Sequence, residues 1–279
     1  MLLCLPRPGN AQSIEFQPRE HPQQEWSWLS TESWSIKGHR IVKLGPLKLR
    51  DRSFDDRSSH SCAARIAALK GTAVADLRIQ CERAESTEGN KTRQLPVTGF
   101  EVRGLGVGAE REFKTAQGRR LKKAQRAFFA RHFRDRDPQE QDPMEFLLPE
   151  GAVSPGDSWS MDLVEIQDWF GPDRFTINLD LSHARVSLDE VLIRHDEPFA
   201  RLVFSVLIVP ATIRDGEFKE ARMALEGTVL LPLRGDLPYM ELELATTMRF
   251  VGKVRAKGLR VSLDIDTQSE GSSSRLPVP

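Results

Sequence analysis

The chain of 279 residues has no net charge, no long apolar run and few cysteines. Forty basic side chains balance forty acidic ones, so no overall field attracts the chain to nucleic acid or to an anionic membrane. No stretch approaches the roughly 18 consecutive apolar residues of a membrane-spanning helix. We therefore expect no transmembrane segment and no nucleic-acid binding, and any charge preference must be local.

The three cysteines and six histidines form no recognisable metal motif. Neither Cys62 nor Cys81 belongs to a C-x-x-C pair, and no two histidines have H-x-x-x-H spacing. We expect no metal and no cofactor. Cys62 and Cys81 form either one disulfide or two small buried thiols, because Cys81 lies in phase with the apolar residues Leu77 and Ile79.

Residues 1–11 resemble the end of a secretory leader. Gly9-Asn10-Ala11 has the small-x-small pattern of a cleavage site, although the apolar part before it is short. We interpret residues 1–11 as the remnant of such a leader and expect an exported protein, in the periplasm or at the cell surface. The alternative is a disordered N-terminus of a cytosolic protein.

Alternation of apolar and polar residues predicts antiparallel strands, most clearly at 175–182, 240–250 and 259–266. The run 199–210 is more continuously apolar and β-branched, which favours an internal strand. Turn sequences rich in Asp, Gly and Pro separate these strands, at 194–198, 213–218 and 233–238. The first half has shorter strand signals, at about 40–50, 72–83, 95–104 and 107–115.

One segment, 119–133, predicts a helix, in which Leu121, Ala124 and Phe128 share the buried face. The predicted fold is mainly β (α+β): a large curved antiparallel sheet or half-open barrel with one covering helix near 119–134. We expect a single β-rich domain over 12–268, in two lobes joined by the helix and acidic linker 119–150. The Ser-rich end, 269–279, is expected to be a disordered tail.

Gly156-Asp157-Ser158 matches the nucleophile block of one class of esterases. However, the residues before it, 152–155, include Pro155 and do not fit the buried strand that precedes such a serine. The sequence Asp180-Leu181-Ser182-His183 supplies an Asp-x-x-His pair, but on a strand Asp180 and His183 point to opposite faces. We therefore predict that Ser158 lies in a turn, that Trp159 begins a strand, and that the protein is not an enzyme.

A further block combines Leu148-Pro149, Val153 and Gly156-Asp157-Ser158-Trp159, after a helix and an acidic linker. It resembles uncharacterised β-rich domains of exported bacterial proteins that share an "LP...V..GDSW" block. The resemblance covers mainly residues 119–163. It implies a β-rich fold and export, and no activity or site residue comes with it.

Two groups of side chains are candidates for contacts with a ligand. The segment 114–136 contains nine Lys or Arg and one acid, and five of these form a possible contact with an anionic surface: Arg119, Arg120, Lys122, Lys123 and Arg126. The alternative is a solvated helix face. Trp26, Trp28 and Trp34 either pack against the sheet or line an apolar ligand surface.

These observations favour a non-catalytic exported protein that binds a hydrophobic ligand, such as a lipid, or a partner in the cell envelope, in the concave side of the sheet. The fold resembles scaffolds that carry lipids or lipoproteins in the bacterial envelope. This hypothesis predicts a cavity lined by Leu, Val, Phe and Met. The alternatives are a serine hydrolase using Ser158 and a structural or assembly module of the envelope.

Overall fold

The structure is a computed structural model. It confirms the predicted fold class, because the residues that the structure describes form one large antiparallel sheet of 14 strands and two short α-helices. The sheet is open, with an edge strand at either end. The described residues are 13–16, 26–71, 73–107, 110–133, 145–170, 175–234, 237, 239–256 and 258–278.

The strands are long compared with the usual five or six residues, and several exceed fifteen. In chain order they are β1 (Ser27–Leu44), β2 (Leu47–Lys70), β3 (Ala73–Glu88), β4 (Lys91–Gln94), β5 (Glu101–Leu105), β6 (Glu112–Thr115), β7 (Ser158–Ser160), β8 (Phe175–Ile177), β9 (His183–Arg194), β10 (Glu197–Ile208), β11 (Pro210–Ile213), β12 (Gly216–Pro232), β13 (Met240–Ala256) and β14 (Leu259–Pro277). The helices are α1 (Lys123–His132) and α2 (Leu163–Phe170), and a short 3-10 helix covers Glu145–Leu147.

The first and last strands pair with each other in the middle of the sheet. The order across the sheet is β6-β5-β3-β2-β1-β14-β13-β12-β10-β9-β7, with β4 beside β3 and with β11 and β8 continuing from β12. The two predicted lobes are therefore joined by the β1–β14 pair as well as through the connection at 119–150. The sheet is continuous across both halves of the chain.

Two hydrophobic cores lie at opposite ends of one face of the sheet. The N-terminal core is built from β2, β3, β5 and β6 with α1, and it includes Ile79, Val102 and Phe129. The C-terminal core is built from β9, β10 and β12 with α2, and it includes Leu202 and Ile166. A row of directly paired residues on this face leads from β1 to the C-terminal core: Trp34, Gly271, Leu244, Gly227 and Phe204.

Aromatic rings lie against glycines at four cross-strand pairs of this face. A side chain at Gly271, for example, would overlap the Trp34 ring, because the ring occupies the space where a Cβ would be. Glycine in a strand lets a neighbouring ring approach the backbone and permits the sheet to bend. The four pairs are Phe54–Gly38, Trp34–Gly271, Phe204–Gly227 and Phe218–Gly252.

The predicted helix is present but shorter, and its buried face differs from the prediction. Ala124 is exposed, whereas Gln125 is buried. Gln125 can be buried because its Oε1 accepts the Lys122 N–H and its Nε2 donates to the Pro96 carbonyl, 2.6 Å away. The buried residues therefore follow i, i+4 spacing as Leu121, Gln125, Phe129 and Phe133.

The predicted strand at 175–182 is wrong beyond Ile177. Asn178 Oδ1 accepts hydrogen bonds from the backbone N–H groups of Asp180 and Leu181, at 3.1 and 3.3 Å. This local bonding closes a turn in place of a ladder, and it leaves Leu181 exposed. The second helix, α2, was not predicted at all.

The predicted disordered tail at 269–279 is also wrong, since β14 continues to Pro277 between β1 and β13. Neighbours on both sides satisfy its backbone groups, and Ser274 Oγ lies 2.6 Å from Thr31 Oγ1. The predicted strand at 40–50 is interrupted by a turn at Gly45, where φ is 58°. The predicted hairpin turns at 194–198 and 213–218 are confirmed. The third, at 233–238, lies partly outside the described residues, and the strands on either side of it, β12 and β13, pair antiparallel.

Candidate functional site

Between the two cores, the same face carries apolar side chains that belong to neither core. They lie on β1, β14 and β13, and each is partly exposed. Trp34 lies at one end of this group, and Leu263 at the other end pairs with Val42, which is eight residues further along β1. At roughly 3.4 Å per residue, the group therefore extends for about 27 Å along the strands. The apolar strip consists of Trp34, Ile36, Met248, Phe250, Leu263 and Ile265.

Basic side chains lie at one end of the apolar strip. Arg40 pairs with Ile265 of the strip, and Arg50 and Arg52 lie on the same face of the neighbouring β2. All three arginines are exposed, and within the described part of the chain none of them forms an ion pair. Their charges are therefore available to an anionic group.

The turns of two neighbouring hairpins, β1–β2 and β13–β14, lie at this same end of the sheet, which we call the hairpin end. Leu47, Leu49 and Leu259 are 64%, 57% and 54% exposed there. Two further exposed cations, Lys253 and Arg255, lie near this end of β13, on the face opposite the apolar strip. Exposed leucines among basic residues are typical of surfaces that meet the interface of an anionic membrane.

A groove of about 700 Å³ lies on the opposite face of the same central strands. Its side chains are small and polar, with three exposed glutamates, Glu226, Glu243 and Glu270. This groove differs from the cavity of Leu, Val, Phe and Met that the ligand-binding hypothesis predicts. The apolar surface between the cores is instead an open strip.

Ser158 begins β7, directly after a turn in which Gly156 has a φ of 94°. Its Oγ accepts hydrogen bonds from Arg185 Nη2 and Nε, at 2.5 and 3.2 Å. Asp157 Oδ2 accepts the Ser154 N–H at 2.8 Å, which closes the turn. Ser158 is therefore the first residue of a strand and does not lie in the turn as predicted, whereas Trp159 packs against the C-terminal core as expected.

The other predicted site residues lie in different places. Cys62 and Cys81 are joined in a disulfide between β2 and β3. The three tryptophans do not form one cluster: Trp26 and Trp28 pack against the N-terminal core, and Trp34 lies in the apolar strip. The five predicted anionic-surface residues are all exposed, on α1 and just before it: Arg119, Arg120, Lys122, Lys123 and Arg126.

Two histidines and a glutamate meet where α1 lies over the sheet, in an arrangement that sequence reasoning missed. Glu32 and His60 are direct partners on β1 and β2, and His132 is the last residue of α1. Glu32 Oε2 lies 3.1 Å from His132 Nδ1 and 4.0 Å from His60 Nε2. The two imidazole centroids are 4.5 Å apart. We call these three residues the Glu-His-His cluster.

Burial and mutual charge set the protonation of the Glu-His-His cluster. His60 is 7% exposed, and this burial, with the neighbouring charge of His132, lowers its pKa to about 4 although Glu32 opposes the shift. Burial raises the pKa of Glu32, but the hydrogen bond and charge of His132, the charge of His60 and a bond from Trp34 outweigh it, so the net pKa is lowered. At neutral pH the cluster therefore contains a neutral His60 beside a carboxylate.

Comparison with protein-family models gives no match, and comparison with curated proteins gives none either. The resemblance of the "LP...V..GDSW" block stays a prediction. Within the described ranges, no helix is long and apolar enough to cross a bilayer.

Proposed function

We propose that the protein is a non-catalytic lipid-binding protein that holds the acyl chain of an anionic amphiphile along the apolar strip. The observation that supports this most is the strip itself, because six large apolar side chains remain partly exposed between two packed cores. Contiguous exposed apolar surface on a soluble fold is usually a binding surface. At about 27 Å, the strip exceeds the roughly 15 Å depth of one leaflet of bilayer hydrocarbon.

The charges near the strip favour an anionic headgroup over a neutral one. Arg40, Arg50 and Arg52 lie at the hairpin end of the strip, where a headgroup would project if the acyl chain lay along the strands. A guanidinium group binds carboxylate or phosphate oxygens with two parallel hydrogen bonds. The exposed leucines of the hairpin end would meet the membrane from which the amphiphile comes. The disulfide supports an oxidising location.

Titration with a fluorescent fatty acid, parinaric acid, tests the proposal. Met248→Asp places a charge in the strip, and Thr247→Asp places the same charge on the opposite face of the same strand. Because burying a Met side chain contributes about 1.5–3 kcal/mol, we expect Met248→Asp to raise the Kd at least tenfold. The Thr247→Asp control should stay within about twofold of the parent protein.

The headgroup is tested separately with the methyl ester of the same fatty acid. Arg50→Glu should weaken binding of the acid and leave binding of the ester unchanged, since only the acid has a carboxylate that can pair with the arginine. The circular dichroism spectra of Met248→Asp, Thr247→Asp and Arg50→Glu should match that of the parent protein, which shows that each variant is folded. Equal binding by the parent protein, Met248→Asp and Thr247→Asp would refute the proposal, as would an absence of saturable binding.

A further inference from the structure

The Glu-His-His cluster contains a nitrogen atom whose environment is unusual. His60 Nε2 is fully buried and has no hydrogen-bond partner, although a buried polar atom without a partner normally costs about 1–3 kcal/mol. It faces Glu32 Oε2 at 4.0 Å, beyond hydrogen-bond distance. The Nε2 atom of His60 is therefore able to bind a ligand without breaking an existing hydrogen bond.

We propose that the cluster is a binding site for a divalent transition-metal ion, of which zinc fits best. The ligands are His60 Nε2, a ring nitrogen of His132 and Glu32 Oε2. Two imidazoles and one carboxylate form a ligand set that zinc commonly takes, with a fourth position left for water or another ligand. A bound metal ion would use the lone pair of the buried His60 nitrogen.

The distances are compatible with one metal ion after small side-chain rotations. Tetrahedral zinc, with bonds of roughly 2.0–2.1 Å, needs its ligand atoms about 3.3 Å apart. The ligand atoms of the cluster all lie within 4.8 Å of one another, and the closest measured pair is 3.1 Å apart. Movements of about 1 Å therefore complete the set.

The surroundings favour a site with restricted access. Phe128 and Phe133 lie beside His60, with ring centroids 5.3 and 6.4 Å from its imidazole. The indole of Trp34, two residues along β1 on the same face, helps to lower the pKa of Glu32, and polar groups beside a ligating carboxylate orient it. The ligands come from β1, β2 and α1, so a bound ion would fasten α1 to the centre of the sheet.

The test begins with the parent protein, freed of metal with a chelator, mixed with a slight excess of zinc chloride and passed through gel filtration. We expect one zinc ion per chain by elemental mass spectrometry and a higher Tm than in the metal-free protein. Cobalt in place of zinc should give the visible absorption bands of a tetrahedral site. Substoichiometric zinc with no change in Tm would overturn the proposal whatever the variants do.

Two variants and one control locate the site. His60→Gln and His132→Gln should each weaken zinc binding at least tenfold and abolish the cobalt spectrum. The control is His39→Gln, because His39 lies on the opposite face of β1, half exposed and paired with Asp51; it should bind zinc like the parent protein. Equal loss in all three variants, or in none, would contradict the assignment. Binding of parinaric acid by His60→Gln should be unchanged, so this site and the proposed function can fail independently.

Discussion

The two cores of the sheet are stabilised in different ways, although they share one face. The N-terminal core contains the disulfide and four buried polar or charged side chains, His60, Asp76, Arg111 and Gln125. The C-terminal core consists almost entirely of aliphatic and aromatic residues from β9, β10 and β12, with Ser182 as the buried polar side chain beside them.

The polar contacts of the N-terminal core come largely from the loops and the helix that complete it. Its outermost strands, β5 and β6, have only five and four residues, and buried side chains bond to the backbone of the loops beside them. Arg111, for example, donates to the carbonyls of Val74, Phe133 and Gly106. Hydrogen bonds and the disulfide therefore supply part of the stability that buried apolar area supplies in the C-terminal core. The N-terminal core should therefore respond to pH and reductant, and the C-terminal core to loss of side-chain volume.

The largest effect is expected from a cavity in the C-terminal core. Leu202 is fully buried on β10, so Leu202→Ala should lower the free energy of unfolding by about 4 kcal/mol. The control is Val203→Ala on the same strand, since Val203 is 39% exposed on the other face and should cost less than about 1 kcal/mol. Urea denaturation measures both. Equal losses would show that the C-terminal core does not depend on packing.

The disulfide should matter almost as much, and only to the N-terminal core. Cys62 and Cys81 are 19 residues apart, for which restriction of the unfolded chain predicts about 3 kcal/mol. The double variant Cys62→Ala/Cys81→Ala should lose this amount in urea denaturation, and reductant should then have no further effect. A parent protein equally stable with and without reductant would contradict the prediction.

Alternation in the sequence was sufficient to predict the sheet, because each strand needs only one apolar face. Alternation did not predict the segments that are stabilised mainly by hydrogen bonds from adjacent strands or loops. The Ser-rich end of β14 has little apolar character, yet β1 and β13 provide hydrogen bonds on both sides. Gln125 was missed for a similar reason, since only the Pro96 carbonyl and Lys122 N–H make its burial favourable.

The Glu-His-His cluster was beyond prediction from spacing, because Glu32 and His132 are 100 residues apart. No two histidines have the spacing of a pair on one helix, and the cluster combines residues from two strands and a helix end. A partial signal was present: His132 follows Phe128 by four residues, which places it on the inner side of α1. Its partners on β1 and β2 depend on strand register, which the sequence does not specify at polar positions.

In the metal-free protein, acid should destabilise the N-terminal core through His60, which faces Glu32 on β1 and His132 on α1. The folded pKa of His60 is about 4, below the ordinary 6.5, so the unfolded state takes up the proton first as pH falls. Stability is complete above pH 6.5 and is lost progressively towards pH 4, by roughly 2–3 kcal/mol. The lowered pKa of Glu32 adds a further loss below pH 4.5.

Urea denaturation at a series of pH values measures this loss. His60→Phe removes the titrating group and keeps an aromatic ring in the same pocket, so its stability should change less between pH 6.5 and 4. The Leu202→Ala variant serves as the opposite control, because it lowers stability equally at every pH if the two cores are independent. A parent protein with flat stability over this range would disprove the role of His60.

The smallest effect concerns the middle of the sheet, which belongs to neither core. Gly271→Ala would place a methyl group against the Trp34 ring, and we expect a loss of about 1–2 kcal/mol because the ring must move. Gly151→Ala is the control, since its methyl group would have no neighbour within 4 Å and stability should change by less than about 0.5 kcal/mol. If overlap with the ring is the cause, adding Trp34→Leu should cancel most of the loss, which a double-mutant cycle in urea measures. Additive losses would instead mean that Gly271 is needed for the bend of the backbone, and that the apolar strip owes its shape to the strand rather than to the indole above it.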